Sequence, residues 1–424
     1  MSKASLALHP RHALGLVALT VAGVFFSRSE YFLATAAATT PRVAAMSRRP
    51  PAGAEGAAAA LNRFGGALLP ATTAASDGAP VFLSPLSVAS ALAMVAAGAT
   101  GDTAAAFDAV LGGMAGDAGA GALRALASAP PTGGNATLLV ANSLWTRGDG
   151  VKAAFKADVA ERFNASVHAL STAAAANEWV SSATKGCIKQ LLDEAVVSNP
   201  LTKALLLNAV FFKGAWETPF KHAATVAGAF ASPGVAGGAP CQMMSRPPAE
   251  LAYASTAAGQ AVVLPYAGGA YRALLVLPPP PQSAPHGGGV LRDSPGEALA
   301  SLRAALRPTR LGVKLPRFKL EWGVASLKPA LIAMGLQPAF SSPGGFSKMS
   351  DDPDFHLADV LHKVVLEVNE EGSVAAAATA AVMMTRSLGP PPLVLVFDRP
   401  FLMAIETADG APLFMGMVEH PTFT

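Results

Sequence analysis

The sequence predicts an α+β fold, and three features carry that expectation. Strand-like and helix-like stretches are mixed without the strand–helix–strand rhythm of a parallel α/β sheet. Ala204–Gly214 is a continuous apolar run closed by a turn residue, the pattern of a strand buried on both faces. The 424 residues are 51% apolar and 14% charged, enough for a large core and too little charge for disorder.

The elements follow from local chemistry. Ala57–Leu69 places Leu61, Phe64, Leu68 and Leu69 at helical spacing. Val81–Leu83 is a short strand that breaks at Ser84-Pro85, where Ser84 caps a helix that is apolar nearly all round. That helix ends at Gly98–Gly101, and Asp102 or Thr103 is expected to cap the next. Thr137–Thr146 reads as a strand, Phe155–Phe163 as a helix and Ala165–Leu170 as extended. A helix is expected from Asn177 through Thr184 to Ile188. Ala261–Pro265 and Tyr271–Leu277 form a hairpin around Gly268-Gly269, and Pro278–Ser294 is a Pro- and Gly-rich loop. Glu297–Leu306 is a helix, Gly312–Leu320 a strand interrupted at Pro316, and Val324–Met334 a helix stopped by Gly335. Val360–Asn369, Leu393–Phe397, Phe401–Glu406 and Leu413–Val418 are strands.

Residues 1–50 differ from the rest. Lys3, Arg11 and His12 precede the apolar run Ala13–Phe26, and small residues at 34–38 fit a cleavage site. This is the outline of a secretory signal, so a secreted protein is expected. An organellar transit peptide (plastid or mitochondrial) and an uncleaved anchor fit the same leader. Its six Lys/Arg face one acid, Glu30; without it, Lys+Arg falls from 31 to 25 and Asp+Glu from 28 to 27. The body then carries about −2, not the +3 of the whole chain, so the basicity argues for no nucleic-acid partner. Two cysteines, Cys187 and Cys241, allow one disulfide at most and no Cys-only metal site. Asn135 and Asn164 begin glycosylation sequons, usable only on the secretory route.

No catalytic signature is present: no Gly-x-Ser-x-Gly elbow, zinc-binding His-Glu-x-x-His, P-loop or dinucleotide fingerprint. Neither metal nor cofactor is expected. Ser84, Asn208 and His362 are polar residues in apolar surroundings, read as buried and hydrogen-bonded. An enzyme using Ser84 or Cys187 with His362 has no motif behind it.

The most informative stretch is Glu370–Ser387. Glu370, Glu371 and Gly372 precede small uncharged residues that contain no proline or glycine before Arg386. Such a segment can run as a loop, form the apolar face of a helix, or join the middle of a sheet without burying charge.

Taken together, the motifs resemble the serpin family from about residue 55 to the C-terminus. The likeness rests on Phe82-Leu83-Ser84-Pro85-Leu86-Ser87 through Gly98-Ala99, and Asn177-Glu178-Trp179-Val180 with Thr184 and Gly186-Cys187-Ile188. Leu207–Gly214 with Trp216 and Phe220, Leu315-Pro316-Arg317-Phe318, Met334-Gly335-Leu336 with Phe340, and Phe346-Ser347 continue it. His362-Lys363, Leu366–Gly372, Arg399–Leu402 and Leu413–Gly416 close it. The hinge most resembles plant-type serpins. Pro80, Gly345 and Met417 depart from the family pattern.

The resemblance implies a leader over 1–50 and one domain over 55–424. That domain would hold three sheets, about eight to nine helices and an exposed reactive loop. It implies a monomeric inhibitor whose loop acylates a protease and then enters the largest sheet. Glu371, Gly372, Ser373, Val374, Ala375, Ala376, Ala377, Ala378 and Thr379 would be the hinge. The family's spacing from Gly372 puts the reactive bond at Arg386–Ser387, with Met384 and Thr385 in neighbouring subsites. Arginine there suits a trypsin-like serine protease, and Arg-specific cysteine proteases share the acylation step. Ser84, Ser87, Asn208, His362 and Trp216 are expected where the sheet parts. Asp117–Pro130 contains Arg124 alone among basic residues, so no heparin site is expected. A non-inhibitory chaperone, storage or carrier role is the alternative, although such members carry charged, proline-containing or bulky hinges.

Overall fold

A computed structural model describes residues 54–423 apart from positions 78, 129–135, 149, 280–288, 342 and 373–391. The chain opens with α1 (Ala54–Ala75), which buries Leu61, Phe64, Leu68 and Leu69. It runs past the expected Ala57–Leu69 and through Pro70, and the Thr72 and Thr73 hydroxyls donate to the Leu68 and Leu69 carbonyls. After β1 (Phe82–Leu83), Ser84 Oγ accepts from the Ser87 amide at 3.2 Å and Pro85 fills the first turn of α2 (Pro85–Ala96). α3 (Gly101–Leu111) begins after Thr100, not at Asp102 or Thr103. Thr103 is buried inside the helix, and the Thr100 hydroxyl donates to the Gly344 carbonyl and contacts Ser347. α4 (Asp117–Ser128), not assigned from the sequence, turns Ala120 and Leu123 inward at helical spacing, with Leu126 and Ala127 half-buried on the same side.

β2 (Thr137–Thr146), α5 (Ala153–Phe163) and β3 (Ser166–Ala169) follow. α6 (Ala173–Ala183) is capped by the Thr172 hydroxyl and ends at Thr184, short of the expected Ile188. There Lys185 and Gly186 take positive φ, and the Thr184 hydroxyl bridges Val180 and Ile188. α7 (Glu194–Ser198) leads to β4 (Ala204–Lys213), buried almost throughout. β5 (Val226–Phe230) and β6 (Ala239–Thr256) escape sequence reading because Gly228, Pro240, Pro247 and Pro248 break the strand signature. The β7 (Gly259–Pro265) and β8 (Tyr271–Leu277) hairpin is followed by α8 (Gly289–Asp293), inside the expected loop, and α9 (Pro295–Ala305).

β9 (Arg307–Ser326) is the main correction. It passes Pro316, paired opposite Met243, and keeps pairing with β10 (Leu357–Val368) as far as Ser326. The helix expected from Val324 therefore starts only at α10 (Lys328–Leu331), before a π turn to Leu336 and α11 (Pro338–Ser341). β11 (Leu393–Val396), β12 (Phe401–Thr407), β13 (Pro412–Val418) and β14 (Thr422–Phe423) complete the α+β chain. Eleven α-helical segments occur among the described residues, four of them of five residues or fewer.

The strands form one hydrogen-bonded network, β1-β13-β12-β8-β7-β6-β9-β10-β4-β2-β3, with β5 on β6 and with β11 and β14 on β9. β9 pairs with β6 and β11 along its first part and with β10 along its last, so layers expected as separate sheets share this strand. α2 lies beneath β2 and β4 in the main core.

Candidate functional site

β4 and β10 are direct neighbours and run parallel, from Leu357 opposite Ala204 to Leu366 opposite Phe212. Side chains alternate across this seam. Leu206, Val210, Val360, Val364 and Leu366 face the main core. Leu205, Leu207, Ala209, Leu361 and Val365 pack outward with α6 and the Ile188–Val197 segment. A chain entering between these strands would be enclosed on both faces and would have to be uncharged there.

A polar cluster crosses the seam near its middle. Asn208 Nδ2 donates to Ser87 Oγ at 2.5 Å, to the Ser87 carbonyl at 3.2 Å and to Asn142 Oδ1 on β2. His362 Nε2 accepts the Ser84 amide at 3.1 Å, and Ser84 Oγ donates to the Leu413 carbonyl at 2.5 Å. Accepting at Nε2 leaves the neutral imidazole its proton on Nδ1. Burial pushes the His362 pKa down to about 3, with the Asn208 backbone acting in the opposite sense. The ring also meets Trp322 edge-on, centroids 5.8 Å apart.

The chain leaves β10 at one end of the seam. The Gly372 amide donates to the Asn369 carbonyl at 3.2 Å, which closes a tight turn around Glu370 and Glu371. Gly372 has φ 77°, and a Cβ there would collide with the Trp216 amide, so only glycine fits. The turn is fastened to the segment after β4. Trp216 donates its amide to the Glu371 carbonyl (3.1 Å) and its indole Nε1 to the Asn369 carbonyl (3.0 Å); the Phe220 amide donates to the Glu370 carbonyl (2.8 Å). Glu370 is a buried carboxylate. It accepts from Thr225 Oγ1 at 2.8 Å and lies 3.6 Å from Arg317 on β9.

The structure thus brings Ser84, Ser87, Asn208 and His362 together and places Glu371 and Gly372 at the seam's end. Trp216, grouped with the cluster in sequence, belongs instead to that end, stacked on Tyr266 with centroids 4.5 Å apart. Ser373, Val374, Ala375, Ala376, Ala377, Ala378, Thr379, Met384, Thr385, Arg386 and Ser387 lie outside the described residues, as does the leader. Asn142, Thr225 and Arg317 are partners that sequence reading missed. Asn142 and Thr225 meet their contacts across 66 and 145 positions and Arg317 reaches Glu370 from another strand, with no local signal. Cys187 and Cys241 are both free, Cys187 exposed and Cys241 buried. Among the described residues no cluster of metal-ligating side chains occurs.

The family model for Serpin (serine protease inhibitor) matches residues 59–421. The chain is similar to Ipis-1 of Ixodes persulcatus, 32% identical over 80% of this chain and 92% of that one. It is also similar to the leukocyte elastase inhibitor of Bos taurus, 32% identical over 86% and 99% of the two chains. Among solved structures it resembles Serpin48 of the insect Tenebrio molitor, with a TM-score of 0.74 and 24% identity over 86% and 97% of the chains. These relatives are animal proteins and lend no support to the plant-type likeness of the hinge.

Proposed function

The chain belongs to the serpin family, and on that premise we propose that it inhibits proteases as a suicide substrate. The observation that carries this reading is the parallel β4–β10 seam with the chain leaving β10 beside it. A segment that continues from Gly372 can turn back and run between the two strands, antiparallel to both, and antiparallel neighbours are the better-paired arrangement. Its sequence suits that place. Ser373, Ala375, Ala377, Thr379, Ala381 and Met383 alternate along one face and are uncharged.

The reacting bond is Arg386–Ser387. A protease serine hydroxyl adds to the Arg386 carbonyl, the Ser387 amine leaves, and an ester joins protease and inhibitor. The fourteen residues from Ser373 to Arg386 span about 45 Å when extended, against about 33 Å for the ten-residue β4. Insertion therefore carries the ester past the far end of the seam before water can hydrolyse it. The energy comes from a fold held short of its best pairing. Arg386 selects trypsin-like serine proteases, whose specificity pocket holds a carboxylate, and Arg-specific cysteine proteases fit the same bond. The leader directs the protein into the secretory route, where it acts as a monomer.

Mixing the protein with trypsin tests the reading. A covalent complex that survives SDS is expected, and Arg386→Ala should abolish it while leaving the fold intact. Unchanged complex formation by that variant would place the reactive bond elsewhere.

A further inference from the structure

His222 stands beside the hinge turn. It opens a short 3₁₀ turn (His222–Ala224) in the segment that follows β4, and two thirds of its side chain is exposed. Its Nε2 lies 3.6 Å from a Glu371 carboxylate oxygen and its Nδ1 3.8 Å from Glu370 Oε1. One imidazole thus faces two carboxylates of the turn that ends β10. The other groups around it come from separate elements. Arg317 on β9 lies 3.6 Å from the same Glu370 oxygen, and Thr225 donates to it. Lys221 precedes His222 in the chain.

The location gives this contact a consequence. A strand entering the seam has to separate the segment after β4 from the turn after β10, which is the pair of elements that His222 connects. When neutral, the imidazole attracts neither carboxylate strongly. As an imidazolium it forms two ion pairs across the point of entry. Histidine is the side chain that ordinarily changes charge between pH 5 and 8.

We propose that His222 is a pH-dependent fastener of the seam, which ties Glu370 and Glu371 to the β4 side in mild acid and so slows the entry of a strand. The proposal rests on the insertion reading for its role in inhibition, but the fastener itself is measurable without any protease. The two ion pairs are partly exposed, so each is weak and salt-sensitive.

The test compares intact wild type with His222→Gln at pH 5.5 and 7.5. Heat-induced opening would be followed by tryptophan fluorescence, Trp216 being hydrogen-bonded at this end of the seam. At pH 5.5 the variant should open about three to five times faster than wild type, and at pH 7.5 the two should match. High salt should shrink the difference at pH 5.5, and Glu371→Gln should reproduce it. His362 is present in all of these proteins and cancels in the ratio. An equal ratio at both pH values overturns the proposal. If the pH-dependent ratio is seen but trypsin forms no complex, the insertion reading fails and the fastener stands.

Discussion

Asn208 and His362 stand directly opposite each other across the β4–β10 seam, and each keeps one buried polar atom, Asn208 Oδ1 and His362 Nδ1, without a hydrogen-bond partner among the described residues. A buried polar atom left unpaired costs about 1–3 kcal/mol. The closed seam therefore carries a penalty at its centre. A strand that enters between these residues offers them backbone and side-chain partners, so relief of that penalty would contribute to the drive for insertion.

Because Asn208 and His362 are both tied to the start of α2, the same cluster is expected to help keep the seam shut. Asn208→Ala removes the donor to Ser87 and Asn142 and leaves Asn142 Oδ1 without it. A loss of about 1–3 kcal/mol is expected, seen as a lower melting temperature and as ladders of polymer on a native gel after mild heating. A variant that stays monomeric with unchanged melting would deny the cluster any part in keeping the seam closed.

The buried imidazole sets a pH dependence. An unfolded histidine binds its proton below about pH 6.5, whereas His362 in the fold does so only near 3. Between those values the unfolded chain holds more protons, so stability falls as pH falls. The contribution is fully present above about 6.5 and is lost towards 3, at roughly 1.4 kcal/mol per pH unit. The melting temperature of intact protein should drop from pH 7 to 5, and His362→Gln should flatten that drop. Parallel curves for the two proteins would show that another group is responsible.

On the insertion reading, a turn kept at Asn369–Gly372 would set the register of the entering strand. Residues equidistant from the turn would then fall level, Thr379 beside His362 and on the same core-facing side. The Thr379 hydroxyl can then serve the His362 Nδ1 proton or the Asn208 carbonyl oxygen. Thr379→Val keeps the shape and removes the hydroxyl. It should leave the intact protein unchanged but reduce the heat resistance gained on cleavage, as read by calorimetry of both forms. An undiminished gain would mean a different register.

On the insertion reading, entry begins at the hinge. Ser373→Arg requires a charge to be buried without a partner, a penalty of several kcal/mol at the step that competes with ester hydrolysis. Even ~1.4 kcal/mol slows insertion about tenfold. The variant should be cleaved at Arg386–Ser387 and release active trypsin, so that cleaved protein replaces complex on an SDS gel. A normal yield of complex would show that Ser373 does not enter first.

What was legible in the sequence was local chemistry. The Ser84-Pro85 break is a cap and an N1 proline, and β4 is an unbroken apolar run; both read directly. β5, β6 and the two ends of β9 beyond Gly312–Leu320 did not, because the prolines and glycines there lower strand propensity, and the ladders that hold them come from distant strands. The family resemblance groups Trp216 with the residues expected where the sheet parts, and its indole is held at the seam's end by the Asn369 carbonyl. The hold on Glu370 by Thr225 and Arg317 had no sequence signal, because neither partner is near it in the chain. Met417, a departure from the family pattern, holds its place through the backbone, its amide donating to the Val81 carbonyl at 3.0 Å.

The most direct test of insertion needs no target enzyme. Nicking the loop between Ser373 and Arg386 with a bacterial metalloprotease leaves the seam free to accept the released strand. Intact and nicked proteins would then be heated and followed by circular dichroism. Insertion predicts that the nicked protein stays folded well above the melting temperature of the intact one. Melting of the two at the same temperature would contradict it and favour a non-inhibitory role.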